Sequence, residues 1–292
     1  MNVAIYGRKV TKYSIPDITE LLQMIQNLGW NVILESEFKA QLVKKIQLDP
    51  STDEFSSYAD FKSGIDLAIS VGGDGTFIKC VSYIRDSQVP IMGINMGRLG
   101  FLANTSKELM PQALDMILRK EYMFQKRSLI RVETEANLFG ENNVALNEVT
   151  LQKKDTSSMI TVHASLEGKY LNSYWADGLI VATPTGSTAY SLSCGGPIIT
   201  PGCQVHILTP IAPHNLNVRP MVVPDHMPIK LQVEGRDRKF LVSLDGLSKS
   251  LKQGEEVTIK KAEYMINVIK FEDNNFLDTI RNKMSWGIDK RN

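Results

Sequence analysis

Residues 67–71, LAISV, lack the polar alternation of a half-exposed strand and run straight into Gly72-Gly73-Asp74-Gly75-Thr76. Such a run is expected of a strand buried on both faces of a parallel sheet. Phe77, Ile78, Val81 and Ile84 then recur at helical spacing, so the stretch reads as strand, tight loop and helix, with the helix starting near Thr76. Without Cβ atoms, Gly72, Gly73 and Gly75 allow positive φ and close approach of another molecule to the main chain. Each costs about 0.5–1 kcal/mol relative to alanine in regular structure, so three together point to a geometric need.

The free N–H groups and positive dipole end of that helix attract phosphate. Asp74 adds a condition. An anion repels phosphate unless a metal lies between them, or unless its task is to orient or deprotonate a hydroxyl that attacks phosphorus. A carboxylate inside a phosphate loop therefore points to phosphoryl transfer, the plain alternative being a glycine turn with an exposed aspartate. The chain has no G-x-x-x-x-G-K-[ST], and Ile78 stands where the third glycine of a G-x-G-x-x-G would be.

The flanking chain supplies the rest of an α/β unit. Val3–Tyr6 read as a strand, and Ser14-Ile-Pro-Asp17 has capping-box form before a helix that stops at Gly29. Residues 31–35 and 89–95 read as further strands, and 38–46 as a helix. Residues 47–63, with Pro50 and several serines, read as a mobile loop where a lid would sit. The β-α alternation implies a parallel sheet covered by helices, with its ligand crevice at the carboxyl ends of the strands. That places Gly72–Thr76 and the loop Asn95-Met-Gly-Arg-Leu-Gly-Phe-Leu102 on one edge. The second loop is either a turn that buries Phe101 or part of the ligand site.

After a helix near residues 106–118 the texture changes. Residues 122–135 and 144–152 have strand character, and Ile160, Val162, Ala164 and Leu166 alternate with Thr161, His163 and Ser165. From there to about residue 271, short strands are separated by Gly, Pro, Asp and Asn. The expected organisation is a parallel α/β domain, residues 1–120, and an all-β domain, residues 121–272. A last helix over 273–292, with Trp286 as anchor, packs back on the first domain.

With 292 residues, 43% apolar and 22% charged, and a net charge of +1, the chain is an ordinary globular protein of two cores whose overall field favours neither nucleic acid nor membrane. Three cysteines, odd in number and without C-x-x-C spacing, and an N-terminus without a signal-peptide core fit the cytoplasm, and no apolar run approaches the ~20 residues of a membrane span. His163, His206, His214 and His226 lack metal-ligand spacing, so any metal is Mg²⁺ carried by a nucleotide.

The most informative second stretch is ADGLIVATPTGSTAYSLSCGGP, residues 176–197. A strand over 179–182 is stopped by Pro184, and seven hydroxyls, from Thr183 to Ser193, surround Gly186. Such donors suit the hydroxyls, amide edges and phosphates of a nucleotide, with Tyr190 able to stack or donate, unless the loop is merely solvated. Asn147-Glu148 lies inside the apolar run LNEVTL, where a buried charge needs a partner. Glu148 is either on the outer face or, with Asn147, holds ribose hydroxyls and base. Asp245-Gly246 after FLVSL is first a hairpin signal. His214 and Arg219 in TPIAPHNLNVRP can bring polar or cationic groups to phosphate.

Taken in order, GGDGT at 72–76, NMGRLGFL at 95–102, NE at 147–148, DGLIVATPTGSTAYSLSCGGP at 177–197, TPIAPHNLNVRP at 209–220 and DG at 245–246 resemble the NAD kinase family over nearly the whole chain. GGDGT alone is shared with diacylglycerol, sphingoid-base and phosphofructokinase loops, and the long hydroxyl-rich motif makes the resemblance specific. It implies an N-terminal Rossmann-like domain and a C-terminal β-sandwich-like domain with the active site between them, phosphorylation of the adenosine-ribose 2′-hydroxyl of NAD⁺ to NADP⁺ by ATP or another phosphoryl donor with Mg²⁺, and a homodimer or homotetramer. It implies further that Asp74 contacts that hydroxyl as base or orienter and that Gly72, Gly73, Gly75 and Thr76 face phosphate. Asn147, Glu148, Asp177, Thr185, Thr188, Ala189, Tyr190, Ser193 and Asp245 are then the dinucleotide-binding set. Tyr174-Trp175-Ala176 varies among family members, and Cys194 replaces a common alanine as a packing change. A lipid kinase or a nucleotide sensor without turnover are the competing classes.

Overall fold

A computed structural model describes residues 1–61, 64–97, 99–154, 158–215, 217–236, 239–272 and 275–285. The chain forms two compact units, Met1–Lys126 with Ile266–Asn292, and Arg127–Met265.

In the first unit the order is β1 (Asn2–Gly7), α1 (Ile15–Asn27), β2 (Asn31–Glu35), α2 (Ser36–Val43), β3 (Asp53–Phe55), α3 (Tyr58–Phe61), β4 (Leu67–Val71), α4 (Asp74–Ile84), β5 (Ile91–Asn95), β6 (Thr105–Ser106), α5 (Met110–Leu118) and β7 (Met123–Arg127). The sheet runs β3-β2-β1-β4-β5, parallel throughout. This is the doubly wound order, in which ligands bind outside the carboxyl ends at the switch between β1 and β4. β4 is buried at all five positions, as its unbroken apolar run predicts. Ile18, Leu21, Leu22 and Ile25 of α1 close one face over Val3, Ile5 and Leu34.

Ser14 stands at the α1 N-cap, but its side chain makes no cap hydrogen bond. It bonds instead to Thr11, while Asp17 pairs with Lys107 at 3.1 Å, so the capping box is not formed. Residues 47–63 are not one mobile loop: β3 adds to the sheet edge and α3 follows, because Phe55 and Phe61 are buried and pack edge to face. Lys62 and Ser63 lie outside the described residues.

The second unit carries β8 (Ile130–Thr134), β9 (Val144–Ala145), β10 (Glu148–Lys153), β11 (Ile160–Leu166), β12 (Lys169–Ala176), β13 (Gly178–Ala182), α6 (Tyr190–Ser193), β14 (Val205–Ile211), β15 (Met221–Pro224), β16 (Ile229–Glu234), β17 (Lys239–Leu244), β18 (Leu247–Lys252) and β19 (Glu256–Lys261). They form two six-stranded sheets, β15-β14-β13-β10-β17-β18 and β12-β11-β16-β19-β8-β9, antiparallel in their pairings. Alternating residues of both, among them Val149, Leu151, Val181, Val162, Leu231 and Ile259, share one core. That is the sandwich expected. His163, on the β11 face away from this core, is held by Ser173 at 2.8 Å and Glu234 at 3.1 Å.

Strand β20 (Ile266–Lys270) then pairs parallel with β5 and stands between β5 and β7. The sequence reading placed β7 and β20 in the second domain. Periodicity reports a strand but not its partner, and both strands belong to the first unit's sheet. Helix α7 (Phe276–Met284) buries Ile280, sets Phe276 6.3 Å from the Phe101 ring and holds the Lys283 ammonium 4.6 Å over it. Trp286 lies outside the described residues.

Candidate active site

In the first unit, β4 ends at Val71 and Gly72 turns the chain at φ +148°. A side chain there would also strike the buried Thr76 hydroxyl at 2.5 Å. Helix α4 begins at Asp74, two residues earlier than the spacing predicts, with Gly73 as N-cap at φ −87°. Gly73 and Gly75 therefore need no unusual φ. Nothing lies within 4 Å of a Cβ built at either, which leaves the main chain of the helix start open to approach.

Asp74 turns its carboxylate toward the loop after β5. Its Oδ2 accepts from the Phe101 N–H at 2.9 Å, and its Oδ1 from the Leu102 and Ala103 N–H groups, both at 3.0 Å. Hydrogen bonds to a charged acceptor each contribute about 1.5–3 kcal/mol. Of roughly four acceptor sites on a carboxylate, one on Oδ2 is left. The loop is braced by buried Asn95, whose Oδ1 accepts from Gly97 N–H at 2.7 Å. Arg98 lies outside the described residues.

In the second unit the organising residue is Asp245. With Gly246 it makes a two-residue hairpin loop between β17 and β18, at φ +46° and +87°, the backbone of a primed turn. Its half-buried carboxylate accepts from the N–H groups of Leu146 at 2.6 Å, Asn147 at 2.9 Å and Glu148 at 3.1 Å. Asp245 thus faces main chain and fixes the Asn147-Glu148 corner. Burial raises its carboxyl above the usual range, and the three amides oppose that. Glu148 is pushed up to about 8, by burial first and by the Asp245 charge second, against an N–H bond from Tyr190. Its Oε2 is buried with no hydrogen-bond partner among the described residues, so Glu148 is not on a solvated outer face.

The hydroxyl-rich loop divides into two sets. Thr183, Ser187 and Ser191 are wholly buried and committed to the fold: Thr183 donates to Leu146 O at 2.6 Å, Ser187 to Pro184 O at 2.6 Å, and Ser191 bonds Thr209 at 2.8 Å. Gly186 packs so near Asn147 that a Cβ would stand 2.1 Å from its carbonyl oxygen. Thr188 and Ala189 are half-buried, and Tyr190 and Ser193 exposed. Thr188 donates to Thr185 O, while buried Thr185 accepts from Arg127 at 3.4 Å. Asp177 pairs with Lys153 at 2.6 Å.

Of the residues predicted from sequence, Gly72–Thr76 are joined by Gly100–Ala103 on the first unit, and Asn147, Glu148, Asp177, Thr185, Thr188, Tyr190 and Asp245 gather with their partners on the second. Sequence reasoning put Gly100 in a loop beside Gly72–Thr76 without pairing it with Asp74, and it missed Arg127, Gln152 and Lys153, which act across strands or loops and carry no local signal. The His214 ring lies 4.3 Å from that of Trp175, tilted 45° to it, and with Arg219, Asn172, Asn215 and Asn217 His214 lines a cleft of about 730 Å³. Leu216 lies outside the described residues. Among the described residues no group of three or more His, Cys, Asp or Glu is placed to hold a metal, and no helix is long and apolar enough to cross a membrane.

Residues 3–122 match the ATP-NAD kinase N-terminal domain family and residues 146–271 the ATP-NAD kinase C-terminal domain family. Curated relatives named NAD kinase include those of Flavobacterium psychrophilum, 45% identical, and Christiangramia forsetii, 43% identical, each aligned over 100% of both chains. Among solved structures, yeast NADH kinase complexed with NADH superposes with a TM-score of 0.88 at 22% identity, over 99% of this chain and 88% of that one. An Archaeoglobus fulgidus NAD kinase in complex with ATP superposes with a TM-score of 0.74 at 26% identity, over 98% and 99%.

Proposed function

Because the chain belongs to the NAD kinase family and is an NAD⁺ kinase, we propose that Asp74 orients the adenosine-ribose 2′-hydroxyl of NAD⁺ for attack on the terminal phosphorus of ATP. The observation that carries this is the Asp74 carboxylate itself, held by three backbone N–H groups with one acceptor site left on Oδ2. A hydroxyl donating to that site has its attacking lone pair directed by a group that cannot swing. Phosphoryl transfer has a loose, charge-rich transition state, so positioning carries most of the rate.

Gly72, Gly73, Gly75 and Thr76 receive donor phosphate at the open start of α4. Asn147, Glu148, Asp177, Thr185, Thr188, Ala189, Tyr190 and Ser193 hold the dinucleotide, with the free Glu148 Oε2 taking ribose hydroxyls. Asp245 contributes by fixing the corner that carries Asn147 and Glu148. Mg²⁺ arrives on the triphosphate and neutralises its charge, and no protein-built site is assigned to it. The family reading further carries a homodimer or homotetramer, which sedimentation of the purified chain tests, and a cytoplasmic place for the reaction.

The test is NADP⁺ formation from NAD⁺ and Mg-ATP by the wild type and by Asp74→Asn. The expected result is product from the wild type and a kcat at least ~100-fold lower in the variant, with KM for NAD⁺ little changed. Near-full turnover by Asp74→Asn would overturn the role of Asp74, and product only with polyphosphate would overturn ATP as donor.

A further inference from the structure

Two consecutive residues at the end of β10 each hold a side chain of the dinucleotide-binding set. Gln152 Nε2 donates to the Tyr190 phenol oxygen at 3.2 Å. Lys153 Nζ meets Asp177 Oδ1 at 2.6 Å. The antiparallel ladder explains both. Gln152 stands opposite Gly178 in the β10–β13 register, and one step further the Lys153 N–H donates to Asp177 O at 3.0 Å, which makes Lys153 and Asp177 cross-strand neighbours.

Gly178 makes room for the first contact. A Cβ there would come 3.0 Å from Gln152 Cγ and 2.3 Å from Leu151 O, so the bare α-carbon lets the Gln152 stem cross the neighbouring strand toward α6. Tyr190 is also tied at its other end, since its backbone N–H bonds Glu148, the first residue of the same strand. Strand β10 thus grips Tyr190 from both ends, through Glu148 at its start and Gln152 near its finish. Tyr190 remains 38% exposed, and a held, open ring is what a stacking platform needs.

Resting on the dinucleotide reading above, we infer that Gln152 and Lys153 are positioning residues for NAD⁺, fixing the Tyr190 ring and the Asp177 carboxylate in the places where the substrate meets them. Neither touches the reacting atoms. Their removal therefore weakens substrate binding and spares the chemical step.

Double-mutant cycles on the full chain test this. Gln152→Leu raises KM for NAD⁺ about three- to tenfold, the worth of one hydrogen bond, with kcat within twofold. Gln152→Glu, which accepts from the phenol instead, restores most of the loss. In a Tyr190→Phe background Gln152→Leu has no further effect. Lys153→Met raises KM by about two- to fivefold, is restored by Lys153→Arg, and is silent in Asp177→Asn. The Gln152 bond opposes the upward pull of burial on the Tyr190 phenol, so Gln152→Leu also moves the Tyr190 ultraviolet titration to higher pH. Unchanged KM in both single variants, additive effects in the double variants, or a loss of kcat in place of KM would overturn the inference. A wild type that makes no NADP⁺ would instead overturn the reading on which it rests.

Discussion

Gly100 lies against Asp74 so closely that a methyl group on its α-carbon would stand 1.8 Å from Asp74 Oδ1. The glycine is what lets the carboxylate reach the N–H groups of Phe101, Leu102 and Ala103. Gly100→Ala must therefore expel the carboxylate or distort the loop. We expect kcat to fall at least ~100-fold with KM for NAD⁺ little changed, and stability to drop about 1–3 kcal/mol, as for other forced overpacking. Gly97→Ala is the control in the same loop: its Cβ finds its nearest atom at 3.9 Å, and kcat stays within a few fold. Steady-state kinetics and denaturant midpoints of the two variants decide it.

Asp245→Gly separates the turn from the clamp. Glycine accepts the φ of +46° that position 245 adopts, but it removes the acceptor for the Leu146, Asn147 and Glu148 N–H groups. The expected outcome is an intact hairpin and a Kd for NAD⁺ at least ~10-fold weaker, with a stability loss of about 1–3 kcal/mol per donor left buried and unpaired. Calorimetric titration with NAD⁺, alongside thermal melting, measures both.

The raised Glu148 carboxyl makes stability fall with rising pH. Its ordinary value is 4.5 and its folded value is about 8, so between those limits the folded chain keeps a proton that the unfolded chain has released. The stabilisation is fully present below about pH 4.5 and is lost as pH rises through 8. Glu148→Gln removes this dependence. Urea midpoints from pH 5 to 9 should fall for the wild type and lie flatter for the variant.

His206 works in the opposite sense. It is wholly buried, neither ring nitrogen has a hydrogen-bond partner among the described residues, and burial pushes it down to about 4. Asp225 opposes that shift and Lys261, 2.7 Å from Asp225, adds to it. From its ordinary 6.5 down to 4 the unfolded chain binds the proton more readily, so stability present above pH 6.5 is lost as pH falls toward 4. His206→Leu forfeits no hydrogen bond and should be neutral or stabilising at pH 7, with a flatter acid limb in the same titration.

What could be read from the sequence is what the chain encodes locally. Leu67–Val71 announced a strand buried on both faces, and Asp245-Gly246 announced a hairpin. That the second unit is all β followed from its short strand-like runs, though not its division into two sheets. The Asp74 clamp was not legible, because its donors lie well over 20 residues away and backbone N–H groups carry no residue code. Nor does a sequence distinguish the hydroxyls of Thr183, Ser187 and Ser191, spent inside the fold, from the exposed ring of Tyr190. Phe55 and Phe61 read as parts of a serine-rich loop until their burial gives residues 53–61 a reason to be ordered.

The place of β20 bears on how the chain is made. The second unit is one unbroken stretch, Arg127–Met265, and all of its strands are available as soon as it leaves the ribosome. The first unit must wait. Until Ile266–Lys270 emerges, the part of β5 around Ile91, beyond its short pairing with β6, presents an open edge, and β7, synthesised long before, has no strand to join. Nascent chains paused or truncated inside the second unit thus carry an unpaired apolar edge, the condition under which strands find partners on other molecules.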